Sequence, residues 1–183
     1  MTLAPDPARP VPALEVLVPG AAIAARVAEL AAAIAAGAAG APVVLVAVAA
    51  GGEPLAADLA RALGSTASLR RAELDGRAGD PRRGSLRVRL DAGPPLAGAH
   101  VVVVDDVVET GLTLHAVLRA LAATQPARLE ACVLLDRPYR RLAARLPLAH
   151  VGFVAPDVDV VGYGADVDGL GRDLADVCRL ARD

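Results

Sequence analysis

The sequence predicts an α/β domain built on a largely parallel central sheet. Three observations carry this. The runs VVLVAVA (43–49), HVVVVDD (100–106) and ARLEACVLLD (127–136) are continuous in apolar residues, as strands buried on both faces are. Segments of helical period separate them, which argues for strand, crossover helix and parallel strand. Within 183 residues there is no internal repeat and no interdomain linker, so one domain can enclose the core without disulfides or a structural metal.

Taken in order, MTLAPDPARPVPALEV is rich in proline and carries Asp6, with neither the basic start nor the apolar stretch of a signal peptide. Residues 1–15 are expected to form a flexible arm and residues 16–183 the domain. Ile23, Val27, Leu30 and Ile34 then recur at helical spacing. Arg26 and Glu29 interrupt this alanine-rich stretch and Gly37, Gly40 and Pro42 break it, which argues for an amphipathic helix rather than a membrane span.

The strand at 43–49 ends at Gly51-Gly52, and EPLAADLARAL follows as a helix with Pro54 in its first turn. SLRRAELDGRAGDPRRGSLRVRL reads as a short strand-like start, a solvated polar loop, and a strand in which Leu86, Val88 and Leu90 alternate with charge. AGPPLAG is a turn into the strand at 100–106, and Thr110 to Ala123 supply the next helix. After the strand at 127–136, two short strands separated at Pro156-Asp157 lead into a glycine-punctuated acidic segment.

Composition removes several function classes. The chain has no lysine or asparagine and all 19 of its basic residues are arginine, which excludes a lysine Schiff base and a Walker-type phosphate lysine. A net charge of −2 gives no electrostatic reason to expect nucleic acid. Cys132 and Cys178 are too few for a disulfide framework or a zinc site, which fits a reducing cytoplasmic compartment. With 55% hydrophobic and 2% aromatic residues, the core must be built of Ala, Val and Leu.

The stretch HVVVVDDVVETGLTLHAVLRAL (100–121) carries the chemistry. In open α/β sheets ligands bind at the carboxyl ends of the strands, where Asp105 and Asp106 fall. Gly111 and its flanking threonines open a helix whose free N–H groups and dipole favour a phosphate. Two carboxylates upstream would repel that phosphate unless they bind something cationic or hydroxylated. Ribose hydroxyls or a hydrated Mg²⁺ resolve the conflict.

VVVVDDVVETGLTL resembles the phosphoribosyl pyrophosphate loop of the type I phosphoribosyltransferases. VLVPGAAIAARVAELAAAIA, LLDRPYRR and VGFVAPDVDVVGYGADVDGLGRDL are similar to the first helix and the C-terminal hood of the hypoxanthine-guanine branch. The resemblance implies that family's fold, a mostly parallel sheet flanked by helices with a small hood drawn mainly from residues 137–183. It implies that the loop Thr110, Gly111, Leu112 and Thr113 holds the 5-phosphate of phosphoribosyl pyrophosphate, and that Asp105 and Asp106 bind the ribose hydroxyls directly or through Mg²⁺. Glu109 matches the family's carboxylate beside the purine N7, usually an aspartate, with a role in proton transfer.

Arg137 falls where the family places a lysine that reads the purine 6-oxo group. Gly51, Gly52 and Arg172 would face pyrophosphate. Asp159, Val160 and Asp166 would line the base, with Asp166 also near a second Mg²⁺. Tyr163 is expected to pack rather than react. Three departures alter the pattern: Ala50 supplies no side-chain cation before the glycine pair, Asp159 replaces a stacking aromatic, and the region near Leu74-Asp75-Gly76 lacks the lid's Ser-Tyr. The implied activity is purine salvage on hypoxanthine or guanine by a homodimer or homotetramer, with no nucleic acid and no membrane as partner. Two alternatives stand beside it: a noncatalytic sensor of phosphoribosyl pyrophosphate or a nucleotide, and a phosphoribosyltransferase for a different base.

Overall fold

The computed structural model describes residues 13–75, 87–143 and 145–180. Among these the order is β1 (Leu14–Val18), α1 (Gly20–Ala38), β2 (Val43–Val48), α2 (Glu53–Leu63), β3 (Ala67–Asp75), β4 (Arg87–Leu90), β5 (His100–Val108), α3 (Leu112–Ala122), β6 (Arg128–Asp136), β7 (Leu148–Val154), β8 (Val160–Val161) and β9 (Val177–Leu180). The central sheet runs β4-β3-β2-β5-β6-β7. All its pairings are parallel except that of β4 with β3.

Burial follows the apolar runs. Every residue of β2 is buried, because its alternate side chains enter two separate cores. On one face Leu45, Val102, Val104 and Leu134 meet α1 and α2. On the other Val46, Val101 and Val103 meet Leu114, Val117 and Leu121 of α3. The helix α1 is long and apolar enough to cross a membrane, but its stripe of Ile23, Val27, Leu30 and Ile34 is buried against the sheet. Wrapping the sheet on both faces leaves the carboxyl ends of β2, β5 and β6 free to present loops.

The structure corrects several boundaries. Leu14 and Glu15, expected in the arm, begin β1, which pairs antiparallel with β9; residues 1–12 lie outside the described residues. Neither β1 nor β9 is apparent in the sequence, since each is short and half-exposed. Cross-strand pairing and the Glu15–Arg179 ion pair define them. The hood is therefore the sheet β1-β9-β8 with the turns between β8 and β9, and β7 belongs to the central sheet.

The polar stretch expected to be loop is strand as far as Asp75. Antiparallel pairing with β4 sets Glu73 opposite Arg89 at 2.9 Å, so charge supports the pairing of the edge strand β4 with β3. Of the lid position, Leu74 and Asp75 close β3, while Gly76 lies outside the described residues, as does Leu86. The helix expected from Thr110 begins at Leu112.

One buried polar group lies near the amino ends of β5, β6 and β7. His100 Nε2 and His150 Nε2 lie 2.7 and 3.0 Å from Glu130 Oε1, and Arg128 Nε donates to Oε2 at 2.8 Å. Arg128 Nη1 also donates to the Gly37 carbonyl at 2.9 Å, tying this group to the end of α1. Burial by itself would raise the Glu130 carboxyl, but the bonds from His150, His100 and Arg128 outweigh it and hold the group below its ordinary value.

Candidate active site

The carboxyl end of β5 turns from apolar to acidic over one residue. Val101–Val104 are buried and Asp105 remains 8% exposed, so its carboxyl enters the site with little water around it. Burial, then the charge and side-chain hydrogen bond of Asp106, push Asp105 well above the usual carboxylate range. Burial also raises Asp106, although its Oδ1 accepts from the Val107 N–H at 2.7 Å and Arg172 lies near enough to oppose the rise. Burial thus disfavours the charged form of both adjacent acids, and a bound cation would favour it.

Gly51 explains how close the turn after β2 comes to them. A Cβ built there would stand 2.3 Å from Asp106 Oδ2. At Gly52 a Cβ would stand 2.3 Å from the Val104 carbonyl oxygen. Only glycine lets the turn after β2 lie against the end of β5. The Ala49–Ala50 peptide in this turn is cis.

Beyond Val108 the chain enters the loop 109–113. Gly111 adopts φ +76°, a left-handed conformation glycine accepts freely, and α3 starts immediately after it. The amides of the first turn are left without helical partners, which is the arrangement that binds phosphate. Thr110 does not cap the helix in the ordinary way; its Oγ1 accepts only a long bond from the Leu112 N–H at 3.4 Å. Its carbonyl accepts from the N–H groups of Leu142 and Ala143, both at 3.0 Å, so the segment after β6 braces the loop.

Glu109 does not stand alone. Its Oε1 accepts from Arg137 Nη1 and lies 3.3 Å from Arg140 Nη1. Arg137, 2% exposed, also donates through Nη2 to the Val158 carbonyl, and Arg140 pairs with Asp157. The arginine predicted to read a base oxygen is thus engaged with protein acceptors on both terminal nitrogens, and its Nε is buried without a hydrogen-bond partner. In the hood, Arg172 pairs with Asp166, whose Oδ2 also accepts from the Gly169 N–H at 2.7 Å. Tyr163 packs against the core as expected and also donates to Asp58 of α2 at 2.6 Å.

One cleft of about 580 Å³ gathers Asp105, Asp106, Glu109, the loop Thr110–Thr113, Arg137, Asp159, Val160 and Asp166. Gly51 and Gly52 do not line it; they buttress it from behind through Asp106 and Val104. Arg172 faces a second cleft of about 570 Å³, together with Ala50 and Tyr163. Among the described residues no group of three or more carboxylates, imidazoles or thiols is placed to hold a metal ion. Asp166 is committed to Arg172 rather than converging on Asp105 and Asp106. Sequence reasoning missed Arg140. Its signal is the second arginine of RPYRR, three residues from Arg137 and one turn of 3₁₀ helix away.

This geometry agrees with what the chain resembles. The model of the phosphoribosyl transferase domain matches residues 15–163. A hypoxanthine phosphoribosyltransferase of Haemophilus influenzae is 42% identical over 49% of this chain and 49% of its own length. The chain spans about half the length of the curated relatives it matches. Among solved structures, a hypoxanthine-guanine phosphoribosyltransferase of Bacillus anthracis superposes with a TM-score of 0.83 at 30% identity, covering 92% of this chain and 97% of that one. The hypoxanthine phosphoribosyltransferase of Trypanosoma cruzi in complex with IMP gives 0.83 at 28% identity, covering 96% and 98%. With its family model matched over residues 15–163, and Asp105, Asp106, Glu109 and the loop Thr110–Thr113 in one cleft, the chain belongs to the phosphoribosyl transferase domain family.

Proposed function

We propose that the chain is a purine salvage enzyme that transfers the 5-phosphoribosyl group from phosphoribosyl pyrophosphate to hypoxanthine or guanine. The observation that carries this reading is the single cleft uniting Asp105 and Asp106, the loop Thr110–Thr113, and Glu109 with Arg137. In the reaction the bond from the ribose C1 to pyrophosphate breaks, a bond from C1 to the purine N9 forms, and the proton on N7 passes to Glu109. The amides of the loop at the start of α3 hold the 5-phosphate, and Asp105 and Asp106 orient the ribose hydroxyls. The Val160 backbone and Asp159 line the base, and Arg172 faces the departing pyrophosphate.

The donor set fits Mg²⁺. Two adjacent carboxyls raised by burial and by each other are hard oxygen ligands that a cation would stabilise in the charged form, and Mg²⁺ binds through one or two carboxylates plus water and substrate phosphate. When bound, it would balance the charge of the leaving pyrophosphate. Charge in the cleft supports the need for it. Asp105, Asp106, Glu109, Asp159 and Asp166 line the cleft and Arg137 is the one arginine among the lining residues, so an anionic substrate meets net negative charge. The family resemblance supports one catalytic domain over residues 16–183 and assembly as a homodimer or homotetramer. Two cysteines, too few for a disulfide framework, support a cytoplasmic setting.

A second reading, a noncatalytic sensor of phosphoribosyl pyrophosphate, is favoured by one observation. Ala49-Ala50-Gly51-Gly52 brings only backbone donors to pyrophosphate, while the paired aspartates are retained. Pyrophosphate release with Mg²⁺ and each of hypoxanthine, guanine, xanthine and adenine separates the readings, with Glu109→Ala as control. Turnover dependent on an oxopurine and on Glu109 supports the enzyme. Turnover only with another acceptor supports a different base. Binding of phosphoribosyl pyrophosphate with no turnover overturns the enzyme and supports the sensor.

A further inference from the structure

We infer that Arg140 is a positioning residue for the acceptor base: it clasps the base-side carboxylate to the strand-connecting loop that carries the opposite wall of the base pocket. This rests on the phosphoribosyltransferase reading of the cleft and extends it to a residue no part of that reading uses. The residue sits at the end of the 3₁₀ turn Pro138–Arg140, which is fixed from several sides. The Arg137 N–H donates to the Val108 carbonyl at 2.9 Å, the Arg140 N–H to the Arg137 carbonyl at 3.1 Å, and the Tyr139 hydroxyl to the Ala155 carbonyl at 2.9 Å. From this anchored turn the guanidinium reaches two carboxylates at once. Nη1 lies 3.3 Å from Glu109 Oε1 at the end of β5, and Nη2 pairs with Asp157 in the loop between β7 and β8.

Glu109 therefore stands between two guanidiniums that share one of its oxygens, and each guanidinium also grips a neighbouring residue of the same loop, Asp157 for Arg140 and Val158 for Arg137. That loop continues directly into Asp159 and Val160, which line the base side of the cleft. A glutamate side chain has one more rotatable bond than an aspartate and needs more restraint to hold its oxygens at a defined place. Two arginines approaching one oxygen from fixed backbone supply that restraint, leaving the other oxygen to face the base. The separation between Glu109 and Val160, which a planar base must span, is set through Arg140.

The pairing does little for stability. Arg140 has a side chain 36% exposed and Asp157 one 59% exposed, and ion pairs so open to water are screened. The consequence is a split that a merely structural residue would not show. In Arg140→Met the Michaelis constant for the oxopurine base should rise about tenfold, as loss of a charge-assisted contact to a positioned group predicts, with that for phosphoribosyl pyrophosphate unchanged. Arg140→Lys, which can reach one carboxylate but cannot fork between two, should restore part of the loss. Asp157→Asn should raise the base constant in the same sense, and it is the variant to read should Arg140→Met fail to give a cooperative melt.

Steady-state kinetics on wild type and these variants, with base and phosphoribosyl pyrophosphate varied separately, tests the inference. An unchanged base constant in Arg140→Met and Asp157→Asn overturns it. So does an equal rise for both substrates, which would mark general loosening. A wild type without turnover fails the phosphoribosyltransferase reading instead, and the clasp is then read by calorimetric binding of IMP. Weaker binding to Arg140→Met than to wild type supports it; equal binding, or none to wild type, overturns it.

Discussion

Gly51→Ala tests how the turn after β2 positions Asp106 for the proposed reaction. The added methyl would stand 2.3 Å from Asp106 Oδ2, 2.5 Å from Cγ and 2.7 Å from Oδ1, where ordinary contact begins near 3.4 Å. One or the other must withdraw by about 1 Å, the difference between 3.4 and 2.3 Å. The carboxylate cannot withdraw without loosening its 2.7 Å bond from the half-buried Val107 N–H. Overpacking and a loosened half-buried bond together predict a loss of about 1–3 kcal/mol in folding stability. Misplacing a substrate-holding group by that distance predicts about 100-fold weaker use of phosphoribosyl pyrophosphate. Urea denaturation gives the first quantity, and calorimetric titration of phosphoribosyl pyrophosphate with Mg²⁺ gives the second. A variant that loses stability yet binds phosphoribosyl pyrophosphate as wild type does would refute the argument, because it would mean that Asp106 moved without consequence.

Three further outcomes follow from the charges. Asp105 has its carboxyl raised in the fold, so its contribution to stability is largest when protonated and is lost as pH rises through the raised value; Asp105→Asn should melt higher than metal-free wild type at pH 8 while losing phosphoribosyl pyrophosphate binding, which paired melts and titrations check. By the same linkage Mg²⁺ should raise the melting temperature of wild type more at pH 8 than at pH 6, and a shift independent of pH would count against Asp105 and Asp106 as its ligands. Glu130 is the opposite case: its folded value lies below the ordinary 4.5, so the stability it gives is complete above 4.5 and lost as pH falls through the lower folded value. Glu130→Gln keeps one acceptor oxygen for His100 and His150 but removes the charge and sets an amide NH2 where Arg128 donates, and should cost about 2–4 kcal/mol at pH 7 in denaturation experiments, with the gap to wild type narrowing in acid.

The parallel core was legible because burial on both faces leaves an unbroken apolar run, as in β2 and β5, and because Gly51-Gly52 and Thr110-Gly111 mark the turns where those runs end. The paired aspartates were legible as chemistry because a buried strand has no structural reason to end on two like charges. What the sequence hid depends on partners distant in the chain. β1 and β9 are recognisable only once Leu14 is set opposite Leu180. The charged end of β3 looks like loop until β4 supplies Arg89 opposite Glu73. Arg140 looks like one surface arginine among many, because its partners Glu109 and Asp157 lie 31 residues before and 17 after it and meet only when β5, β6 and β7 are aligned.

The antiparallel pairing of β1 with β9 bears on how the protein is made. The segment that leaves the ribosome early, Leu14–Val18, completes its hydrogen bonds with one that leaves late, Val177–Leu180. Until then the hood sheet has no central strand, since β9 lies between β1 and β8, and Val160 and Val161 lack their strand partners Arg179 and Cys178. The large sheet from β2 to β7 needs no part of β9 and can assemble first on the nascent chain. The paired acids and phosphate loop would then take shape before the base pocket does. A chain stalled short of β9 would hold the ribose-phosphate half of its site and lack the other half.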